Sequence, residues 1–348
     1  MTMLCFGWSV LCTGVLVSLV VDRGEAYTNG IGCLNPENKP VDWFLVYKTP
    51  QDSQDKNEFI AKGVGFYYMD SRQQALTLSP TPINGKDHAL YNTLQQIYLN
   101  YFVVEYGMYN DEPPDIFNKD WNGNVTSGIS KGVYAFDKLT GFWLITSIPK
   151  FPPPKSKGYA FNMAAVQDGH MALCLTLNSD RVIDLHKIFQ ITQPHLYDGK
   201  GNNEQLARQP LSNTTLEINM YTHHNVELKC LAKGTSYGKD LYTSMVAPSL
   251  RMGLLVQTYR SEGGSPSQCS PYQVLNISKV KFPDIAVYPS LTRDRAKWAV
   301  TKKLGRWICV GDHDRSTSTL SRGGGVLCMV NYTAWKALHN ITQSADKC

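Results

Sequence analysis

The chain has 348 residues, of which 43% are hydrophobic and 18% are charged, and its formal net charge is +5 at pH 7. That apolar content is enough for a substantial buried core, which excludes a disordered protein. No block of five or more basic residues is present, which excludes a nucleic-acid-binding arm. The modest positive charge is compatible with a polyanionic partner or with simple solubility.

The N-terminal segment has the pattern of a secretory signal peptide. An uncharged apolar run, Val10–Val21, is followed by the small-x-small motif Gly24-Glu25-Ala26. The run has about 12 residues whereas a membrane span needs about 20, so a signal peptide is favoured over a membrane anchor. We expect residues 1–26 to be removed and the protein to be secreted, or alternatively lysosomal, with no membrane span.

Removal of that segment would leave seven of the nine cysteines. In an oxidising compartment this odd number predicts three disulfides and one free thiol. No two cysteines have C-x-x-C spacing, so no metal site is predicted, and the sequence indicates no cofactor. Five N-x-S/T sequons predict a glycoprotein, because each is expected to mark a surface loop: Asn124, Asn213, Asn276, Asn331 and Asn340.

Hydrophobic patterning predicts mixed strands and helices in the first part of the chain. The predicted elements are a strand over Val41–Lys48, a helix over Thr93–Val104, a hairpin of Gly132–Phe136 with Phe142–Ile148, and a buried segment over Met171–Leu177. Residues 198–215 are polar and rich in Gly and Asn, which is typical of a link between two halves.

The second part repeats this order. It contains a strand over Leu254–Tyr259, a hairpin after Lys297, a flexible loop at Arg322–Gly325 leading to a strand over Val326–Val330, and a helix over Tyr332–His339. The sequence therefore predicts an α/β fold with two similar halves, about 27–200 and about 215–348.

One pattern occurs in both halves. Ile129-Ser130-Lys131 precedes Gly141-Phe142-Trp143-Leu144, and Arg295-Ala296-Lys297 precedes Gly305-Arg306-Trp307-Ile308. An internal duplication predicts two half-sites that face each other across a pseudo-two-fold axis. Histidine two residues before each lysine would supply a nucleophile and a general acid for phosphodiester cleavage. Those positions are Ile129 and Arg295.

Several segments between about residue 33 and Cys348 carry a family resemblance: Pro40–Lys48, Tyr109–Pro114, Ser130–Val133, Gly141–Leu144, Gly238–Tyr242, Lys297–Trp298, Trp307–Asp312 and Arg322–Gly325. They resemble the deoxyribonuclease II family, and within it the secreted set of parasitic nematodes such as Trichinella. The resemblance implies a phospholipase D-like fold, in which residues 27–348 form two α/β/α halves that share one cleft.

The resemblance also implies acid endonuclease chemistry without a metal. One histidine attacks phosphorus, the other protonates the leaving oxygen, and two lysines hold the phosphate. The family's disulfide pattern would pair Cys33 with Cys174, Cys269 with Cys348, and Cys309 with Cys328, leaving Cys230 unpaired.

The sequence departs from the family at the residues that carry the reaction. Ile129 has no lone pair, and Arg295 stays protonated, so neither can act as nucleophile or base. Thr146 and Asp314 replace a histidine and an asparagine of the family pattern. Among the remaining histidines, only His313 is expected near the cleft.

Three functional hypotheses follow. The first is a secreted pseudoenzyme whose cleft, made cationic by Lys131, Lys297 and Arg295 together with Arg315 and Arg322, holds DNA or another polyanion. The second is a weakly active, metal-independent acid endodeoxyribonuclease. The third is an extracellular glycoprotein that binds a host or other extracellular protein and makes no use of the cleft.

Overall fold

A computed structural model of the chain describes residues 30–99, 103–114, 128–201, 214–260, 264–283, 285, 287–289, 292–303 and 305–348. The predicted signal peptide, Asn124 and Asn213 lie outside the described residues. None of the described helices is both long enough and apolar enough to cross a bilayer.

The first half of the chain forms an eight-stranded sheet next to a short pair, β1 (Cys33–Leu34) with β2 (Pro40–Val41). In spatial order, the sheet contains β10 (Leu196–Lys200), β6 (Glu105–Tyr109), β7 (Gly132–Phe136), β8 (Thr140–Thr146), β9 (His170–Asn178), β3 (Trp43–Lys48), β4 (Phe66–Asp70) and β5 (Thr77–Leu78). Its helices are α1 (Glu58–Ala61), α2 (Ala89–Leu99) and α3 (Val182–Thr192).

The second half forms a nine-stranded sheet. Its spatial order is β11 (Thr215–Tyr221), β12 (Glu227–Lys233), β18 (Gly324–Val330), β17 (Trp307–Gly311), β16 (Trp298–Thr301), β13 (Leu254–Gln257), β14 (Val274–Lys281) and β15 (Val287–Pro289), with β19 (Thr342–Ala345) paired to β14. Its helices are α4 (Ala247–Leu250), which continues a π-helical turn, and α5 (Tyr332–Ile341).

The two sheets repeat one arrangement. The neighbours β7, β8, β9 and β3 of the first sheet correspond to β16, β17, β18 and β12 of the second. Equivalent backbone hydrogen bonds support this correspondence: Thr146 N–H donates to Lys131 O and Gly311 N–H donates to Lys297 O, both at 3.1 Å. This is the two-half α/β arrangement of the phospholipase D-like fold.

The hairpin of β7 and β8 shows why these strands contain few polar residues. Tyr134 and Trp143 point into the core between the sheets, whereas Val133 and Phe142 point into the outer core of the first half. Successive side chains on a strand face opposite sides, so a strand covered on both faces is apolar throughout. The sequence predicted this hairpin within two residues.

Helix α2 begins four residues earlier than the predicted start at Thr93. His88 explains the difference, because its Nδ1 accepts the Tyr91 N–H at 3.2 Å and so satisfies a backbone donor of the first turn. A histidine cap lies outside the usual set of capping residues, so the pattern did not reveal it.

The three disulfides implied by the resemblance are present: Cys33–Cys174, Cys269–Cys348 and Cys309–Cys328. Cys230 is free and buried. The Cys309–Cys328 bridge joins residues that lie directly opposite each other on β17 and β18.

Replacing Cys309 and Cys328 with alanine is expected to lower the free energy of unfolding by about 2–4 kcal/mol, because the bridge closes a loop in the unfolded chain. Denaturant unfolding under non-reducing conditions measures the change. Cys230→Ala is the control, since it removes a buried thiol without removing a cross-link. An equal loss in both proteins would show that the bridge adds nothing beyond packing.

One predicted glycosylation site is wrong. Asn276 is fully buried in β14, where its Oδ1 accepts from Arg315 Nη1 and its Nδ2 donates to Ser265 O at 3.1 Å. A glycan on that nitrogen has no space in this fully buried position. Asn340 is exposed, and Asn331 is partly exposed at the start of α5, where its Oδ1 accepts the Ala334 N–H.

Candidate functional site

The two lysines of the repeated pattern line one cleft between the halves. Lys131 directly precedes β7 and Lys297 directly precedes β16, so the matching strands bring them to the same end of the molecule. The cleft has a volume of about 380 Å³, and Ile129 and Arg295 also line it. The tertiary structure therefore joins the two half-sites that the sequence places far apart.

Ile129 and Arg295 occupy equivalent positions. The Ile129 N–H donates to Gly323 O, and the Arg295 N–H donates to Gly169 O, each at 2.8 Å. In both cases the acceptor glycine belongs to the opposite half and directly precedes the strand paired with the central hairpin. The residue two positions before each lysine is thus held in the same way, and neither residue carries an imidazole.

Each motif is anchored to the opposite half through a carboxylate. Ser130 Oγ donates to Asp312 Oδ2 at 2.8 Å, and Tyr47 OH donates to Asp294 Oδ2 at 2.6 Å. Asp294 is buried and Asp312 is partly buried, and desolvation raises the pKa of each carboxyl above its usual value. These contacts fix the spacing of the half-sites.

Asp294→Asn is expected to change the pH dependence of stability. Burial raises the pKa of Asp294 to about 6. A carboxyl with a raised folded pKa adds stability that is present below its unfolded pKa, near 3.8, and is lost as the pH rises through about 6. The wild type should therefore lose stability over this window, and the variant should lose less. Thermal unfolding at both ends of the window tests this, with the exposed Asp87→Asn as control; parallel curves would contradict it.

Each cation among the described residues of the cleft has a carboxylate partner. Lys131 Nζ pairs with Asp111 and lies 3.3 Å from Glu112 Oε1. Lys297 Nζ lies 3.2 Å from Asp314 Oδ2 and donates to Asp312 O at 2.8 Å.

The two arginines of the cleft follow the same rule. Arg295 Nε lies 3.3 Å from Asp168 Oδ2, and its guanidinium lies 3.6 Å from the centre of the Tyr259 ring. Arg322 Nη2 lies 3.9 Å from Asp111 Oδ2.

The prediction of a net cationic cleft is therefore wrong for the part of the chain that the structure describes. The lining contains four cations, Lys131, Lys297, Arg295 and Arg322, and four carboxylates, Asp111, Glu112, Asp168 and Asp314. Arg315 does not line the cleft. Its guanidinium is buried among Asp240, Asn276 and Pro266.

His170 lines the cleft and was missed by the sequence reasoning. Its Nδ1 lies 3.1 Å from Ser147 O, and its buried Nε2 has no partner among the described residues. Burial and the nearby Lys48 lower the pKa of His170 well below 6.5, so the ring is neutral. The sequence offered one signal for this role. His170 is the first residue of the buried strand β9, and the pairing of β9 with β8 brings it next to the end of β8.

His313, the histidine expected near the cleft, is not part of its lining. It is 2% exposed, and its Nε2 has no partner among the described residues and faces the backbone of Gly324. Burial lowers the pKa of this ring well below 6.5. A neutral, enclosed imidazole cannot reach a substrate.

Two buried lysines in equivalent positions hold the loops that carry cleft residues. Lys48 lies opposite His170 on the neighbouring strand, and Lys233 lies opposite Gly324 in the same register. Lys48 Nζ donates to Asp168 O at 2.5 Å, and Lys233 Nζ donates to Arg322 O at 2.8 Å. Burial lowers the pKa of Lys48 to about 7 and that of Lys233 to about 8. By binding these backbone carbonyls, the two lysines hold the cleft residues Asp168 and Arg322 in place.

Comparison with known proteins shows similarity along the whole described chain. A family model described as deoxyribonuclease II matches residues 32–348. Plancitoxin-1 of Acanthaster planci is 33% identical, covering 98% of this chain and 98% of that protein. Deoxyribonuclease-2-alpha of Mus musculus is 32% identical, covering 91% and 94%. Cell death-related nuclease 6 of Caenorhabditis elegans is 29% identical, covering 96% and 93%.

Proposed function

The chain belongs to the deoxyribonuclease II family, and on that premise we propose that it is a secreted glycoprotein that binds DNA in its cleft without hydrolysing it. The observation that carries the proposal is the equivalence of Ile129 and Arg295. Each residue is held by an equivalent backbone hydrogen bond to a glycine of the opposite half. Both lie two positions before a lysine that lines the cleft, and neither is a histidine.

The chemistry of the two residues supports inactivity. An isoleucine side chain has no lone pair with which to attack phosphorus or accept a proton. An arginine stays protonated at any physiological pH, so it cannot serve as the nucleophile, and it is a very weak acid towards a leaving oxygen. Both partners of the family's reaction are absent at the positions where the resemblance places them.

Phosphate binding is supported by Lys131, Lys297 and Arg295, which retain charge-assisted donors in the cleft. The carboxylates of Asp111 and Asp314 pair with the two lysines, and Asp168 pairs with Arg295. A DNA phosphate must displace them, so binding is expected to be weak and to weaken further with salt. The names of two relatives, deoxyribonuclease and nuclease, favour a nucleic acid as the ligand.

Secretion and glycosylation rest on different observations. The three disulfides favour an oxidising compartment, in agreement with the N-terminal pattern. Asn331 and Asn340 are the described sequons with accessible side chains, and Asn340 is the more exposed. A glycan on Asn124 or Asn213, delivery to a lysosome and a nematode origin stay predictions.

A plasmid assay on the purified glycoprotein at acid and neutral pH tests the proposal. We expect a mobility shift that salt removes and no nicking at either pH. Lys131→Ala with Lys297→Ala should abolish the shift. Nicking that these two changes abolish would place a working active site in the cleft and overturn the proposal.

A weakly active acid nuclease is the second candidate, and His170 is the observation that favours it. A neutral imidazole with an unpaired Nε2 in the lining is chemically able to act as a base. Its Nε2 has almost no accessible surface, however, so a phosphate cannot contact it in this conformation. Acid nicking that His170→Gln abolishes would support this candidate.

A further inference from the structure

A second, larger groove lies on the second half and is separate from the cleft. Its volume is about 880 Å³, compared with about 380 Å³ for the cleft. Its walls come from the residues after α4, the residues before β14, the turn between β16 and β17, and one side of α5. A volume of this size is typical of small-ligand and cofactor sites.

The groove and the cleft lie at opposite ends of β16. Lys297 of the cleft precedes this strand, and Lys302 of the groove follows it. Five residues at about 3.3 Å each separate the two lysines by roughly 17 Å. A ligand in the groove therefore need not touch the vestigial motifs.

The charge of the groove contrasts with that of the cleft. Its described lining contains Arg251, Lys302 and Lys303 and no aspartate or glutamate. Arg251 and Lys303 are exposed and have no ion pair with any described residue. Lys302 Nζ donates to the neutral Gln273 Oε1 at 2.6 Å, so its charge is also uncompensated. The groove presents three cations where the cleft presents a balanced set.

Aromatic side chains line the same groove. Tyr272 is half-buried against the outer core of the second half, and its hydroxyl has no hydrogen bond to a described residue. Trp335 packs against His339 with ring centres 4.9 Å apart, and its Nε1 donates to Thr301 O at 2.8 Å. Flat apolar surface next to unpaired cations suits a ligand that has both rings and negative charge.

The walls are fixed by backbone contacts, so the groove exists before a ligand binds. Lys302 N–H donates to Gly253 O at 2.8 Å, and Leu254 N–H donates to Gln273 O at 2.7 Å. Gly305 packs closely on the end of the Met252 side chain, which would have to shift to admit a Cβ. Arg251 has a φ of +53°, a conformation that glycine adopts more readily, yet the position carries a cationic side chain.

We infer that this groove binds single-stranded nucleic acid, with phosphates at Arg251, Lys302 and Lys303 and a base stacked on Tyr272. Unpaired bases are required, because paired bases cannot expose their faces to an aromatic ring. The inference goes beyond the proposed function, since the groove uses no residue of the cleft. A ligand that carries only negative charge would use the three cations but not the tyrosine.

Fluorescence anisotropy of a labelled oligothymidylate with the full-length glycoprotein tests the inference. Arg251→Gly with Lys303→Glu should weaken binding about tenfold or more, and should reduce the slope of log affinity against log salt by about 0.7 per lost phosphate contact. Tyr272→Ala should weaken binding by roughly tenfold, whereas Tyr272→Phe should stay within about twofold, because the ring is what stacks.

Lys138→Glu is the matched control. Lys138 is exposed in the turn between β7 and β8, the position in the first half that corresponds to the turn bearing Lys303. Lys138→Glu makes the same charge reversal at a residue that does not line the groove, so affinity should stay within about twofold. Thermal unfolding checks that every variant is folded.

The cleft variants separate this inference from the proposed function. Oligothymidylate binding should survive Lys131→Ala with Lys297→Ala. Binding that depends on those two lysines and ignores the groove variants would overturn the inference and leave the cleft proposal intact. Binding that the charge variants weaken but Tyr272→Ala does not, with polyphosphate competing equally well, would make the groove a plain anion site and also overturn it.

Discussion

Replacing Ile129 and Arg295 with histidine is expected to produce DNA cleavage at acid pH. The change returns a nucleophile and an acid to two equivalent backbone positions, each of which is fixed by a bond to a glycine of the opposite half. Positioned acid–base groups contribute about 10²–10⁴-fold to rate, so nicking should exceed the wild-type background by at least about 100-fold. A plasmid nicking time course at acid pH measures the gain.

Asp314 is expected to limit that gain. Its Oδ2 lies 3.2 Å from Lys297 Nζ, so it occupies the lysine and repels a phosphate. Adding Asp314→Asn should therefore raise the nicking rate further. The control carries glutamine at 129 and 295, which are polar but cannot act as nucleophile or base. A folded triple variant that binds DNA and still fails to cut it would show that the cleft no longer aligns its groups for the reaction.

Removing the carboxylates that occupy the cleft lysines should strengthen DNA binding. Asp111→Asn with Asp314→Asn removes the carboxylate partner of Lys297, leaves Lys131 with Glu112 alone, and raises the net charge of the lining by two. For duplex DNA, each additional phosphate contact should steepen the slope of log affinity against log salt by about 0.9. Electrophoretic mobility shifts over a salt series measure this change.

The same variant should be less stable without a ligand. Lys131 is only 5% exposed, and without Asp111 its carboxylate partner is the exposed Glu112. The free energy of unfolding should therefore fall, by less than the roughly 3–5 kcal/mol that a fully buried pair loses with one partner. DNA should restore part of that stability, because a ligand bound only by the folded state stabilises it. Asp180→Asn, which breaks an exposed pair with Arg181, is the control and should change neither property. Unchanged DNA affinity in the double variant would remove the cleft as the binding site.

The sequence alone was sufficient for the features that depend on local pattern or on repetition. The hairpin of β7 and β8 follows from apolar and β-branched residues around a turn at Asp137, whose side chain accepts the N–H groups of Leu139 and Thr140. The repeated motifs indicated two half-sites that share a cleft, because a duplicated unit that packs against its copy places equivalent residues together. The absence of histidine at positions 129 and 295 is likewise read directly from the sequence.

The tertiary structure decided how the polar side chains are paired. Lys131 meets Asp111, 20 positions away, and Asn276 meets Arg315, 39 positions away. Hydrophobic periodicity indicates which face of a strand is buried, but it contains no information on which charges share that burial. A chain with the residues of a cationic phosphate site therefore folds into a charge-balanced cleft. Three cations that have no carboxylate partner among the described residues line a groove at the other end of β16.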